Sequence, residues 1–248
     1  LRTVRDFLNG QGLVGQGFFI TVEGGEGVGK TTFVKSFCAA LSASLDPTGS
    51  AVVQTREPGG TPVANSIRAI FANPPPGEAL IPETEAMLVM AARAQHVAHL
   101  IRPALDRGAV VICDRYADST MVYQGAVGGL DRVWLESSNR FATKGLVPDL
   151  TFLLDCPVEI SSQRSEVRSR VGQAEDGAQR YDAGSKDQHE KIRAGFLDCA
   201  RRAPARFVVL DATKNPGDLT ADALAALRHK APEIFPGTLP GTLKRGPT

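Results

Sequence analysis

The segment Gly24-Gly25-Glu26-Gly27-Val28-Gly29-Lys30-Thr31 restricts what this chain can fold into more than any other. It matches G-x-x-x-x-G-K-[ST], where glycines let successive backbone N–H groups turn inward on an anion and the next helix adds its positive end. Such a loop has to join a strand to a helix, and the flanks comply. Phe18-Phe19-Ile20-Thr21-Val22 is a short β-rich apolar run. From Lys30 onward, Phe33, Val34, Phe37, Cys38 and Leu41 recur at helical spacing, and Pro47-Thr48-Gly49 should end that helix. Within the loop Lys30 suits the β- and γ-phosphates of a nucleoside triphosphate, and the Thr31 hydroxyl suits Mg²⁺. Gly24 through Thr32 form the cradle. Glu26 is out of place among phosphates unless it meets a sugar hydroxyl or a metal-bound water.

Further apolar runs at residues 51–55, 109–113, 150–154 and 207–210 alternate with helical stretches at 84–107, 132–144, 157–170, 187–202 and 218–229. Five buried-type strands alternating with helices predict an α/β, P-loop NTPase-like three-layer fold, a five-stranded parallel sheet flanked by helices. The fold is expected as one domain over residues 18–230. Residues 1–17 read as a flexible N-terminal extension and 231–248 as a disordered tail. Residues 169–185 are polar, glycine-rich and without apolar periodicity, which suggests a mobile flap over about residues 165–185.

With 28 Lys and Arg against 27 Asp and Glu, the chain lacks the basic excess of a general nucleic-acid binder. No apolar run approaches the roughly 18 residues that a membrane span needs. Cys38, Cys113, Cys156 and Cys199 form no C-x-x-C pair, so they read as buried reduced thiols rather than a zinc site or disulfide framework. A cytoplasmic location is expected, or an organelle if the first 17 residues are a targeting remnant.

The strand at 109–113 runs into Asp114-Arg115-Tyr116. A carboxylate at the carboxyl end of a buried strand lies where open α/β sheets bind ligands, and beside a P-loop it can hold Mg²⁺ through water. Arg115 can fork onto a phosphate. Arg68 follows Arg56-Glu57-Pro58-Gly59-Gly60 on a helix, Arg93 lies among alanines, and Arg164, Arg168, Arg170 and Arg180 gather near the flap. Together these arginines suit phosphoryl transfer, in which charge on the moving group has to be neutralised and water excluded.

Between residues 18 and 229 the chain resembles the bacterial-type thymidylate kinases. The resemblance rests on Glu23-Gly24-Gly25-Glu26-Gly27-Val28-Gly29-Lys30-Thr31-Thr32, Thr55-Arg56-Glu57-Pro58-Gly59-Gly60, Ala91-Ala92-Arg93-Ala94-Gln95, and Asp114-Arg115-Tyr116 followed by Ser119-Thr120 and Tyr123-Gln124-Gly125. Pro148-Asp149-Leu150-Thr151 and Leu210-Asp211-Ala212 also fit. It implies transfer of the γ-phosphate of ATP to dTMP, giving dTDP for dTTP synthesis, with Mg²⁺ as cofactor, in a homodimer packed through long helices.

The resemblance also implies roles. Glu26 would lie by the acceptor sugar's 3′-hydroxyl, and Arg68 and Arg115 would hold the acceptor phosphate. Arg93 would bond the thymine edge, with Thr120 and Gln124 completing base recognition and Glu57 in the same substrate set. Tyr123 would crowd the 2′ position, Asp114 would join Thr31 at the metal, and a cis bond would precede Pro58. No base is needed, because the acceptor phosphate is already an anion. The P-loop carries no arginine at its variable positions, so Lys30 and Arg115 would act with a flap arginine, Arg168 or Arg180.

Two departures stand out. Val89 occupies the position where the family stacks a phenylalanine on thymine, and Gln179-Arg180 replaces the usual Asp-Arg. A kinase for another deoxynucleoside monophosphate, or a P-loop ATP-binding protein without kinase activity, are the rival readings.

Overall fold

The structure, a computed structural model, describes residues 17–45, 51–170, 181, 184–232 and 235. Arg180, most of the expected flap, the first 16 residues and residues 236–248 lie outside it. Five strands form one parallel sheet in the order β2-β3-β1-β4-β5, as the alternating pattern predicts. They are β1 (Phe18–Glu23), β2 (Val52–Arg56), β3 (Val110–Asp114), β4 (Leu150–Asp155) and β5 (Phe207–Asp211). β1 is central and buried along its whole length. With β3 on one side and β4 on the other, its carboxyl end is the topological switch point, where such sheets open a crevice.

Successive residues of β1 feed opposite faces. Ile20 and Val22 pack with Phe33, Phe37 and Leu41 of α1 (Lys30–Ser44) and with Leu224 and Leu227 from the C-terminal helix Pro216–Lys230. Phe33 and Phe37 stack at 5.4 Å, and Phe152 of β4 meets the Phe37 ring edge-on at 5.3 Å. Phe19 turns the other way, to Val97, Ile101 and Tyr116. Thr21, fully buried, is satisfied by the Thr151 hydroxyl at 2.7 Å.

On that second face lie α2 (Pro62–Ala72) and α3 (Pro82–His96), which pack together. The helix expected at residues 84–107 is not uniform. Beyond α3 a π-helical turn spans Val97–Ile101, and α4 (Arg102–Asp106) completes the element. Pro103 explains the break: it has no N–H to donate, and its ring crowds the carbonyl four residues back, which a widened turn relieves. After β3 come a short α5 (Ala117–Thr120) and a second π-helical turn, Met121–Val127, where the sequence pattern showed no element. Then follow α6 (Arg132–Thr143), α7 (Val158–Arg170), α8 (Lys186–Arg202) and the C-terminal helix, α9. Among the described residues no helix is long and apolar enough to cross a membrane.

The loop after β1 is clamped against α7. Gly27 has φ +71°, and a methyl group there would lie 2.0 Å from the Ser161 carbonyl oxygen. Gly27→Ala is expected to lose about 2 kcal/mol of stability, through left-handed strain plus this clash, read as a lower urea midpoint. An unchanged midpoint would show that the clamp is slack.

Candidate active site

A cavity of about 570 Å³ opens at the carboxyl end of the sheet, within the ~300–1,000 Å³ usual for small-molecule sites. One continuous wall carries Gly27, Gly29, Lys30, Thr31 and Thr32 from the loop and α1, and Asp114 and Arg115 from the end of β3. The same cavity is lined by Glu57, Pro58, Arg68, Val89, Arg93, Thr120, Tyr123, Gln124 and Arg168. Most of the sequence-predicted residues therefore converge, and four do not. Arg180 lies outside the described residues. Gly24, Gly25 and Val28 do not line the cavity: they border a separate small pocket beside β4, and the Val28 side chain packs in the core with Val22 and Phe33.

Lys30 Nζ donates to the Gly24 carbonyl at 2.9 Å and the Gly25 carbonyl at 2.5 Å. Burial first, and then the Arg115 charge, push its ammonium down to about 8. Glu26 reaches across the cavity: its Oε1 accepts from Arg115 Nη2 at 3.1 Å and from the Tyr123 hydroxyl at 2.5 Å. Its Oε2 is buried without a hydrogen-bond partner among the described residues. Burial pushes the Tyr123 phenol well above its usual value; Glu26 adds to the rise against the pull of Arg115, so the phenol remains a donor.

Arg115 is held in a strained backbone, φ +68°, which a bulky side chain adopts only when its surroundings compel it. Glu23, the last residue of β1, supplies the compulsion. Its Oε1 accepts from the Tyr116 and Ser119 N–H groups at 2.8 and 3.3 Å, and its Oε2 from the Ser119 hydroxyl at 2.7 Å. The Arg115 N–H is tied to the Val22 carbonyl at 2.9 Å. Just before this turn, Cys113 donates its thiol to the Arg115 carbonyl at 3.0 Å, and burial pushes that thiol well above its ordinary value. All four cysteines are free and buried, as their spacing suggested.

Arg93 is fixed by a buried polar chain. Its Nε donates to Glu57 Oε2 at 2.7 Å, its Nη1 to Thr120 Oγ1 at 3.0 Å and to Asn139 Oδ1, and its Nη2 to the Tyr116 carbonyl at 3.0 Å. Glu57 Oε1 accepts from His96 Nδ1 at 3.0 Å, so that nitrogen carries a proton, and His96 Nε2 lies 2.7 Å from the Thr55 hydroxyl. Gly60, at φ +87°, passes so close that a methyl group would come within 2.4 Å of His96 Nε2. The bond before Pro58 is cis, as expected.

The chain matches the family model "Thymidylate kinase" over residues 22–223. The chain belongs to the thymidylate kinase family. It is 48% identical over 209 residues to a thymidylate kinase of Thermomicrobium roseum, covering 84% of this chain and 93% of the relative. It is 47% identical over 210 residues to one of Geobacter sulfurreducens, covering 84% and 95%. The crystal structure of thymidylate kinase from Ehrlichia chaffeensis is similar, with a TM-score of 0.67 and 27% identity over 86% of this chain and 99% of that one.

Sequence reasoning missed several residues of this family member's site. Glu85 is spaced four before Val89 and eight before Arg93 on α3, a helical stripe that periodicity could have revealed. Phe71, one turn after Arg68 on α2, lines the cavity, as does Tyr181. The roles of Glu23, His96 and Asn139 had no local signal, because the site residues they hold, Ser119, Glu57 and Arg93, lie 39 to 96 residues away.

Burial, with Asp118 adding, pushes Glu23 up to about 7 from an ordinary 4.5. The folded chain thus holds this proton more tightly than the unfolded one. The stabilisation it brings is complete below pH 4.5 and is lost as pH rises to about 7. The stability difference between the native chain and Glu23→Gln should fall across that window by up to about 3 kcal/mol, then stay level. Urea titrations at stepped pH would measure it, and a pH-independent difference would refute it.

Proposed function

We propose that the chain works as a thymidylate kinase by moving the γ-phosphoryl group of ATP onto the 5′-phosphate of dTMP within this one cavity. The observation that carries the reading is the continuity of the cavity: the P-loop residues Lys30 and Thr31 and the arginines Arg68, Arg93 and Arg115 line the same space. A triphosphate switch would need the first group and would leave the second without a purpose.

The N–H groups of Gly24 through Thr32 and the remaining donor of Lys30 take the donor phosphates. Arg68 and Arg115 take the acceptor phosphate. Arg68 is steadied by donating from Nη1 to the Pro58 carbonyl at 3.0 Å, and Glu57 braces Arg93. Glu26 Oε2, buried with an unused acceptor, suits a sugar 3′-hydroxyl, and Tyr123, held by Glu26, stands to exclude a 2′-hydroxyl. Arg93, Thr120 and Gln124 take the base. Arg168, in the last turn of α7, lines the cavity and would neutralise transition-state charge. With the acceptor already anionic, positioning and charge neutralisation do the catalysis.

Thr31 and Asp114 would hold Mg²⁺. The donor set fits: two hard oxygen ligands line the cavity, and Mg²⁺ prefers few protein ligands plus substrate phosphates. Bound there, it would neutralise charge on the donor phosphates.

Val89 leaves the base without the aromatic partner usual at that position. Phe71 lines the same cavity from α2, and α2 packs on α3, so we assign the aromatic wall to Phe71. A homodimer also fits. α3 packs against both α2 and α6, and these helices expose Val63, Ile70, Met87, Val133 and Phe141, the last 88% exposed.

Initial rates of ADP release with dTMP, dUMP, UMP and dCMP should favour dTMP and disfavour the ribonucleotide; absence of turnover at saturating dTMP would end this reading. In the same assay Phe71→Ala should raise the KM for dTMP about tenfold, the size of one lost stacking contact. Light scattering should give about twice the 26.3 kDa chain mass, and a monomer at micromolar concentration would refute the dimer.

A further inference from the structure

Gln124 carries an amide that could face a ligand either way round, and a buried carboxylate decides between the two. Gln124 Nε2 donates to Glu85 Oε2 at 3.1 Å, and the Tyr181 hydroxyl donates to that same oxygen at 2.7 Å. A carboxylate only accepts, so it selects the nitrogen side of the amide. Gln124 Oε1 has no partner among the described residues and is left for the cavity that Gln124 lines. The Tyr181 ring is itself seated 4.7 Å from that of Tyr123. Glu85 and Gln124 are both buried, so their bond does not compete with bulk water.

Arg93 supplies the complementary half. Of its five N–H groups, Glu57, Thr120, Asn139 and the Tyr116 carbonyl take four, and one hydrogen on Nη2 remains for the cavity. The base-facing wall therefore offers one donor and one acceptor. That pair matches a carbonyl beside a ring N–H, the imide edge of thymine or uracil. Against the amino group and bare ring nitrogen of cytosine it sets donor to donor and acceptor to acceptor.

We propose that Glu85, shared with Tyr181, is a positioning residue that fixes the Gln124 amide and thereby selects pyrimidines with an imide edge over those with an amino-imine edge. This rests on the reading that Arg93 and Gln124 face the base. Glu85 does not line the cavity and acts on it through Gln124.

The test compares native chain, Glu85→Gln, Tyr181→Phe and Gln124→Ala with dTMP and with dCMP at saturating Mg·ATP. Glu85→Gln keeps the shape but introduces a group that also donates, which frees the Gln124 amide to turn. It should raise the KM for dTMP with kcat within about twofold, leave the KM for ATP unchanged, and lower the dTMP:dCMP ratio of kcat/KM about tenfold. Tyr181→Phe should shift that ratio in the same direction by about threefold, and it decides alone if Glu85→Gln does not fold. A loss of packing would not move the ratio. If Gln124→Ala raises the KM for dTMP while the ratio stays fixed in the other two, the inference fails and the base-site reading stands. If Gln124→Ala leaves that KM unchanged, both fail.

Discussion

The site depends on one buried carboxylate. Glu23 ends the central strand immediately before the phosphate-binding loop, and its oxygens gather the backbone of the turn that follows β3. That turn carries Asp114, Arg115 and Ser119, so a single side chain sets how the two halves of the cavity face each other. Burying a carboxylate is costly, and three hydrogen bonds offset the cost only in part, which is why the group resists ionisation. The strained backbone of Arg115 belongs to the same arrangement: with its own N–H and the next one both tied down, left-handed geometry is the shape in which the guanidinium reaches Glu26.

A second buried chain does the corresponding work for the side of the cavity that carries Arg93. Thr55, His96, Glu57 and Arg93 come from β2, α3 and the loop between β2 and α2, and each is satisfied by the next. A fully satisfied network of this kind is rigid, and the loss of any member would leave a polar group stranded in a low dielectric. The Glu57 N–H is bound to the Asp114 carbonyl at 2.9 Å, which joins this chain to the turn held by Glu23. The Arg115 side and the Arg93 side of the cavity are thus parts of one hydrogen-bonded frame.

Much of this was legible from sequence where the signal was local. The five strands are apolar runs, and the P-loop has its spacing, so the sheet and the cradle follow from patterns a few residues long. The pattern over residues 84–107 predicts one continuous helix although Pro103 lies within it, and the widened turn before that proline is its result. The π-helical turn at Met121–Val127 has no such marker, and there the sequence identified Tyr123 and Gln124 without the element that carries them. Glu85 had a readable signal in its four-residue spacing from Val89 and Arg93. His96 and Asn139 did not, because their partners are close only once the sheet has assembled.

The placement of the thiols carries a chemical consequence. A cysteine reacts as its thiolate, and burial holds Cys38 up to about 11 and Cys199 up to about 12, with Cys113 well above its ordinary value. Cys113 adjoins Asp114, at the wall of the cavity, where an oxidised sulfur would push into the turn that shapes the site. Burial and the bond from its thiol to the Arg115 carbonyl both favour the protonated form. Thiols that are buried and held protonated present little thiolate to oxidants and electrophiles.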